Sequence, residues 1–279
     1  MERNLVTGFS VDPDQPAIFA TAALVSLKPG ETINFSVSEQ RWCVGFDDPQ
    51  GELGPCPDGA LSQSGGRCDK CTEKTRILPC LRCIGANCGN PARRSKCVFS
   101  DHYVYLACYS QELFKVGVTR VERLENRICE QGAWGAIAIA AAGGQEVRRL
   151  EHAVALAGWP DRVNMLGLLD EQPIEAKEAE RLLRRQARRI ISRLPEEHFT
   201  HEGPFVYTAH RFPKVTSRPR ALSPGTDPLS GKIIGMRGGY LLLEADQQLL
   251  TVSLRGLMGR ELSARDAPVA GPVQGALAI

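Results

Sequence analysis

Eight cysteines, Cys43, Cys56, Cys68, Cys71, Cys80, Cys83, Cys88 and Cys97, crowd into one short stretch of the chain. The pairs Cys68/Cys71 and Cys80/Cys83 have Cys-x-x-Cys spacing, which presents two thiolates to one ion from a tight knuckle, and zinc takes four such soft ligands in a tetrahedron. The stretch is therefore expected to hold two zinc ions. Full cysteine ligation leaves no open position for water or substrate, so their expected role is structural. Two divisions of the eight compete. In one, Cys43, Cys56, Cys68 and Cys71 form the first site and Cys80, Cys83, Cys88 and Cys97 the second; in the other, the two knuckles share an ion and the other four form a looser site. The contiguous division is preferred because each quartet then combines one knuckle with two more distant thiolates. Gly54-Pro55, Gly65-Gly66, Gly85 and Gly89-Asn90-Pro91 supply turns that wrap backbone around an ion.

Disulfides or an iron–sulfur cluster are the rival uses of such cysteines. The start Met1-Glu2-Arg3-Asn4 leads into a mixed segment without a long apolar run or small-residue cleavage site, so a reducing cytoplasm, where thiols serve metals, is the expected location. No run approaches a membrane span, and a content of 43% apolar and 24% charged residues suits a soluble protein of two or three small domains. Gly143-Gly144 lacks the pattern of a dinucleotide or Walker loop, so no nucleotide cofactor is expected. The remaining cysteines, Cys108 and Cys129, read as buried thiols.

Arginine is the second residue type with a telling distribution. Between 181 and 193 there are six arginines and no acid, among them Arg185 and Arg189. On a helix this is a phosphate-binding face or a solvated surface. Ile174, Leu182, Leu183, Ile190, Ile191 and Leu194 supply the apolar side, and acids in the first turns with arginines in the last suit the helix dipole.

The elements that must position these groups are legible from periodicity. Residues 1–42 alternate in short runs and read as an N-terminal β segment, and 43–100 read as the zinc module. From 101, His102–Ala107 and Leu113–Val118 read as paired strands with a hairpin loop at Ser110-Gln111-Glu112. A helix follows, with Val121, Leu124 and Ile128 on one side and Arg123 and Arg127 on another, ended by Gly132. A third strand at Ile137–Ala140 leads to a helix from Gln145 to about Trp159, with Glu151 beside its apolar stripe. The stretch 101–200 is one domain that includes the basic helix. Residues 201–263 read as a basic connector and small β unit, and 264–279 as a disordered tail.

The order Tyr103-Val104-Tyr105, then Lys115-Val116-Gly117-Val118-Thr119, then a helix with Arg127, then a helix with Glu151, resembles the GIY-YIG nuclease superfamily core. That resemblance covers about 101–165 and implies a three-stranded sheet flanked by helices. A longer stretch is similar to a bacterial family of unknown function that joins a cysteine-rich segment to this core. It is carried by Arg41-Trp42-Cys43-Val44-Gly45, Cys56-Pro57, Cys68-Asp69-Lys70-Cys71, Tyr103–Ala107, Lys115–Arg120 and Gln131-Gly132-Ala133. It implies that the first quartet belongs to the family pattern and the second is an addition. The expected fold is thus α+β: an N-terminal β segment with a two-zinc module, a central GIY-YIG-like sheet, and a small C-terminal β unit.

In the nuclease superfamily a helix glutamate holds a divalent cation, an arginine stabilises the phosphate and a tyrosine helps to activate water. The resemblance matches Glu151, on magnesium or manganese, to the glutamate, Arg127 with Arg123 as alternative to the arginine, and Tyr105 to the tyrosine of the first motif, where it would position water; the water-activating tyrosine belongs to the second motif. Lys115 stands where a second tyrosine belongs, and Gln131 where many members have histidine. A protonated lysine attracts phosphate but accepts no proton at neutral pH unless burial or a neighbouring cation depresses its pKa. Glu151 is also readable as a polar helix shoulder, and Arg127 as a surface partner of Glu130 or Glu125. Two functions follow: a metal-dependent phosphodiesterase acting on DNA or RNA, or a noncatalytic nucleic-acid-binding or assembly protein. A zinc-stabilised adaptor for protein partners is a third.

Overall fold

The structure is a computed structural model that describes residues 3–12, 14–47, 53–62, 66–75, 80, 83–194 and 198–265. The expected tail from 266 onward and Gly65 of one expected turn lie outside these residues. The fold is mixed α+β with sheet predominating. In chain order the strands are β1 (Val6–Ser10), β2 (Ala17–Ala20), β3 (Leu24–Ser26), β4 (Thr32–Arg41), β5 (Phe46–Asp47), β6 (Leu53–Gly54), β7 (Asp101–Cys108), β8 (Phe114–Arg120), β9 (Gly135–Gly143), β10 (Phe205–Tyr207), β11 (Arg220–Ala221), β12 (Leu229–Arg237), β13 (Tyr240–Ala245), β14 (Gln248–Ser253) and β15 (Arg260–Ala264). The helices used below are α1 (Asp69–Thr75), α2 (Pro91–Val98), α3 (Leu124–Gln131), α4 (Gly144–Leu156) and α5 (Ala176–Arg193).

The central sheet has the order β10-β9-β7-β8. Its middle strand β7 is buried on both faces, and the period of two divides it cleanly. Val104, Leu106 and Cys108 join Ile137 and Ile139 of β9, and this face is covered by Val147, Leu150 and Val154 of α4 and by Leu182, Leu183 and Ile190 of α5. Tyr105, Ala107 and Tyr109 point to the other face, with Leu124 and Ile128 of α3. Small residues on β9, Ala136 and Ala138, leave room there for the tyrosine rings. The helical stripes expected around Leu124 and Leu150 are the ones that pack, and Gly132, at φ 72°, ends α3 in the left-handed conformation that glycine adopts without cost. Cys108 and Cys129 are buried thiols, pushed up to about 12 and about 11 by burial.

Two pairings depart from the expected division. The strand β10, in the stretch read as a connector, pairs antiparallel with β9 and so makes a fourth strand of the central sheet. The N-terminal strand β4 pairs with β12 on one side and β15 on the other, so N- and C-terminal segments build one sheet of order β11-β14-β13-β12-β4-β15. Strands β1, β2 and β3 form a separate three-stranded sheet, whose Ile18 joins Ile33, Leu229, Leu241 and Leu243 in one core. Partners so distant in sequence leave no local signal, because alternation reports a strand but not what lies beside it.

Arg237, at the end of β12, ties the two sheets together. Its Nε donates to the Gly132 carbonyl at 3.1 Å, Nη1 donates to the carbonyls of Leu168 and Glu171, and the guanidinium stacks 3.6 Å from the Trp134 ring centroid. Burial brings its pKa down to about 10. Among the described residues no helix is long and apolar enough to cross a membrane.

Candidate functional site

The first cysteine quartet is assembled by short elements. Cys43 follows β4, Cys56 lies in the turn after β6, and Cys68 and Cys71 flank and enter α1. The four sulfurs all lie within 4.8 Å of one another, and Cys56 and Cys68 are 4.0 Å apart. Zinc–sulfur bonds of about 2.3 Å would set tetrahedral sulfurs about 3.8 Å apart, so the donor set and its spacing fit zinc. Backbone N–H groups of Gly45 and Cys68 donate to the Cys43 sulfur at 3.4 and 3.2 Å. Such donors favour the thiolate, but burial outweighs them and holds the Cys43 thiol, like that of Cys71, above its ordinary value. Burial pushes Cys56 up, but the backbone N–H groups of Ala60 and Asp58 and the neighbouring thiols outweigh it and bring this thiol down to about 7. Gly45 is demanded here: at φ 98° a Cβ would lie 1.9 Å from the Gly54 carbonyl oxygen. The division that shares one ion between the two knuckles does not hold, since Cys68 and Cys71 face Cys43 and Cys56.

The second group is looser. Gly85 donates its N–H to Cys83 at 3.4 Å, the same two-residue knuckle as at Cys43, and the Asn90 amide donates to Cys80 at 3.5 Å. Cys97 is pushed up first by burial and then by the charges of Cys83, Cys80 and Cys88, so the four act on one another electrostatically. This module is docked on the start of α4. Gln145 donates to the Gly85 carbonyl at 3.1 Å, and a Cβ on Gly144 would lie 2.4 Å from the Cys97 sulfur.

The second candidate site lies on the α3 face of the central sheet. Strand pairing sets Tyr105 opposite Gly117 and Ala107 opposite Lys115, so Tyr105 and Lys115 share a face. Gly117 is needed for close approach, because a Cβ there would lie 2.4 Å from the Tyr105 hydroxyl. Gln131, in the last turn of α3, gathers the group. In the amide orientation that satisfies both its ends, the Gln131 oxygen accepts from the Tyr105 hydroxyl at 2.9 Å, from Arg127 at 3.3 Å and from Lys115 Nζ at 3.3 Å, while its nitrogen donates to Tyr109 at 3.2 Å. Tyr109 is a member that periodicity gave no reason to single out.

Electrostatics set the character of this cluster. Burial first, and then the Arg127 charge, bring Lys115 from 10.5 down to about 8, against the pull of Glu151 and Asp161. Among the described residues no carboxylate lies within ion-pair distance of Lys115, whose polar contact is Gln131. Burial holds the Tyr105 phenol above its ordinary value, partly offset by Arg127. Arg127 pairs with Glu130 at 3.1 Å, and Arg123 shares that glutamate at 2.5 Å. Lys115, Arg127, Gln131 and Tyr109 line a cavity of about 670 Å³ whose far wall is formed by β1, β2 and the start of β13.

Glu151 stands apart from this group. Its helix α4 packs on the opposite face of the sheet, its carboxylate accepts from Arg148 at 2.8 Å, and neither it nor the fully buried Tyr105 lines the cavity. It acts on Lys115 and Tyr105 through its charge alone. On α5, Arg181 and Arg184 are taken up by Glu178 and Glu180, each at 2.6 Å. Arg185 and Arg189 are exposed, and Arg189 touches Gln186 at 3.3 Å.

The sequence pattern of the family described as a protein of unknown function, DUF2797, matches residues 30–262. The chain belongs to that family. The DUF2797 match takes in both cysteine groups, the Lys115–Arg127–Gln131 cluster and Glu151, and it leaves β1, β2 and β3 outside. No curated protein and no solved structure matches the chain.

Proposed function

We propose that this DUF2797 chain is a zinc-binding, nucleic-acid-binding protein with a GIY-YIG-like central domain, in which Lys115 and Arg127 hold a phosphodiester at the wall of the cavity. One observation carries the reading: Lys115 is a partly buried ammonium with no carboxylate in ion-pair range among the described residues, next to a second cation. A buried cation is costly unless an anion reaches it, and a phosphate offers that anion to both groups. The order of hairpin, α3, third strand and α4 supports the GIY-YIG likeness. Arg185 and Arg189, exposed on α5, and Arg123 would add contacts to the backbone of DNA or RNA. Cys43, Cys56, Cys68 and Cys71 would hold one zinc ion, and Cys80, Cys83, Cys88 and Cys97 a second once their sulfurs close around it. Reduced thiols of this kind suit the cytoplasm.

Phosphodiester hydrolysis is a second reading, favoured by the titration of Lys115 at about 8, which leaves part of it free to accept a proton near neutrality. Glu151 would then hold magnesium or manganese, whose chemistry is Lewis-acid polarisation of the phosphate. Arg127 would bind the phosphate, and Tyr105, kept protonated by burial, would position it indirectly through the hydrogen bond it donates to Gln131. Arg148 has to release Glu151 for this to happen.

The test is fluorescence anisotropy with labelled DNA and RNA over a range of salt, followed by incubation with magnesium or manganese. Binding is expected to weaken with salt and to fall about tenfold or more in Lys115→Met. Retention indifferent to both would overturn the binding reading. Products formed by the wild type and lost in Glu151→Ala would add hydrolysis; cleavage that survives Glu151→Ala would remove Glu151 from the site.

A further inference from the structure

We infer that the cavity takes a single unpaired nucleotide, its phosphate on Lys115 and Arg127 and its base on an aromatic wall formed by Phe19 and Tyr240, so that the preferred substrate is single-stranded. The inference rests on the phosphate reading of Lys115 and Arg127 and adds what faces them. Phe19 and Tyr240 line the same cavity from strands β2 and β13, together with Arg255, the Asn164 amide and the carboxylates of Asp12 and Glu130, the latter already paired with Arg127.

Phe19 is the informative residue. It is 41% exposed, although its neighbour Ile18 is fully buried in the core that the β1-β2-β3 sheet shares with the six-stranded sheet. Strand pairing sets Phe19 opposite Gly8, and its ring carbon Cδ2 lies 3.4 Å from where a Cβ on Gly8 would stand. The ring thus rests on bare backbone and keeps substantial area uncovered at the cavity. An exposed aromatic across a cavity from two cations is the combination used for single strands: cations track the phosphates, and bases stack on rings whatever their identity.

Shape points the same way. A cavity of about 670 Å³ is the size of a small-molecule pocket. A duplex keeps its bases paired inside and offers a convex surface of phosphates, so it reaches the cations without filling the space between them and the rings. A nucleotide with a free base fills it, with amide groups available to the base edge.

The test is anisotropy with a labelled eight-nucleotide single strand and the blunt duplex of the same sequence, in DNA and RNA forms, using full-length protein. The single strand is expected to bind about tenfold tighter than the duplex in at least one sugar form. Phe19→Ala is expected to weaken single-strand binding about fivefold or more without changing its salt dependence, and Phe19→Trp to retain it. Phe19 is exposed, so thermal unfolding of both variants should match the wild type. Equal binding of duplex and single strand, or unchanged single-strand binding in Phe19→Ala, would overturn the inference. If Lys115→Met weakens binding while Phe19→Ala does not, the phosphate reading stands and this one fails. If Lys115→Met has no effect on either oligonucleotide, the underlying reading fails with it.

Discussion

Lys115 shows how one residue couples stability to ligand binding. Its pKa falls from 10.5 to about 8 on folding, so between those values the unfolded chain binds more protons than the folded one, and stability rises with pH across that window. The penalty is complete below about 8 and gone above 10.5. Lys115→Met is therefore expected to be more stable than the wild type at pH 7, by on the order of 2 kcal/mol, with the advantage fading by pH 10.5 in urea titrations. Phosphate binding has the opposite slope: affinity is expected to drop as pH rises through about 8, because the neutral amine no longer attracts the anion. Gly117→Ala tests the packing beneath. Its Cβ would lie 2.4 Å from the hydroxyl and 2.5 Å from Cζ of the fully buried Tyr105, and a loss of about 1–3 kcal/mol is expected. At this scale the first cysteine quartet was legible because Cys-x-x-Cys spacing is a local signal, whereas Lys115 and Arg127 were singled out only by the resemblance. Phe19, Tyr109 and Tyr240 were not, since their meaning depends on which strands lie opposite.

At the scale of elements, the hairpin β7–β8 and the helices α3 and α4 were readable from periods of two and 3.6. The strand β10 was not, because three residues in a stretch rich in Pro and Arg carry too little alternation to announce a strand. The cysteine modules make the sharpest test of element-level support. The first wraps α1 and β5, and the second leans on α4 through Gly85 and Gly144. Metal analysis is expected to find two zinc ions per chain, falling by one in Cys71→Ser. Chelation should lower the thermal midpoint, since ligand bonds made in the folded state stabilise it. An unchanged midpoint with full removal of zinc would deny the ions a structural role. For α5, the double change Arg185→Glu and Arg189→Glu is expected to reduce the salt dependence of binding by about two counterions. An unchanged slope would make this face a solvated helix surface.

The whole molecule is organised by pairings the chain makes at long range. Strand β4 lies between β12 and β15, so one N-terminal strand is built into a sheet with the C-terminal ones, and the cavity is lined from three sides: by Lys115 of the central sheet, by Phe9 and Phe19 of the β1-β2-β3 sheet and by Tyr240 of the six-stranded sheet. No local pattern announces such an arrangement, nor the buried Arg237 that joins the sheets through carbonyls of Gly132, Leu168 and Glu171. Arg237→Leu would leave those acceptors unsatisfied. It is expected to cost about 2–5 kcal/mol in urea unfolding, and a change within experimental error would mean that the sheets hold together without it. What joins these scales is a partly buried cation, without a carboxylate partner among the described residues, in a cavity lined by the sheets. Its most direct test is an NMR titration of the Lys115 side chain, following the carbon next to the amine, with and without a saturating oligonucleotide. The expected midpoint is about 8 in the free protein, moving up by about one unit or more when phosphate binds. A midpoint that saturating oligonucleotide leaves unmoved would contradict the proposed site.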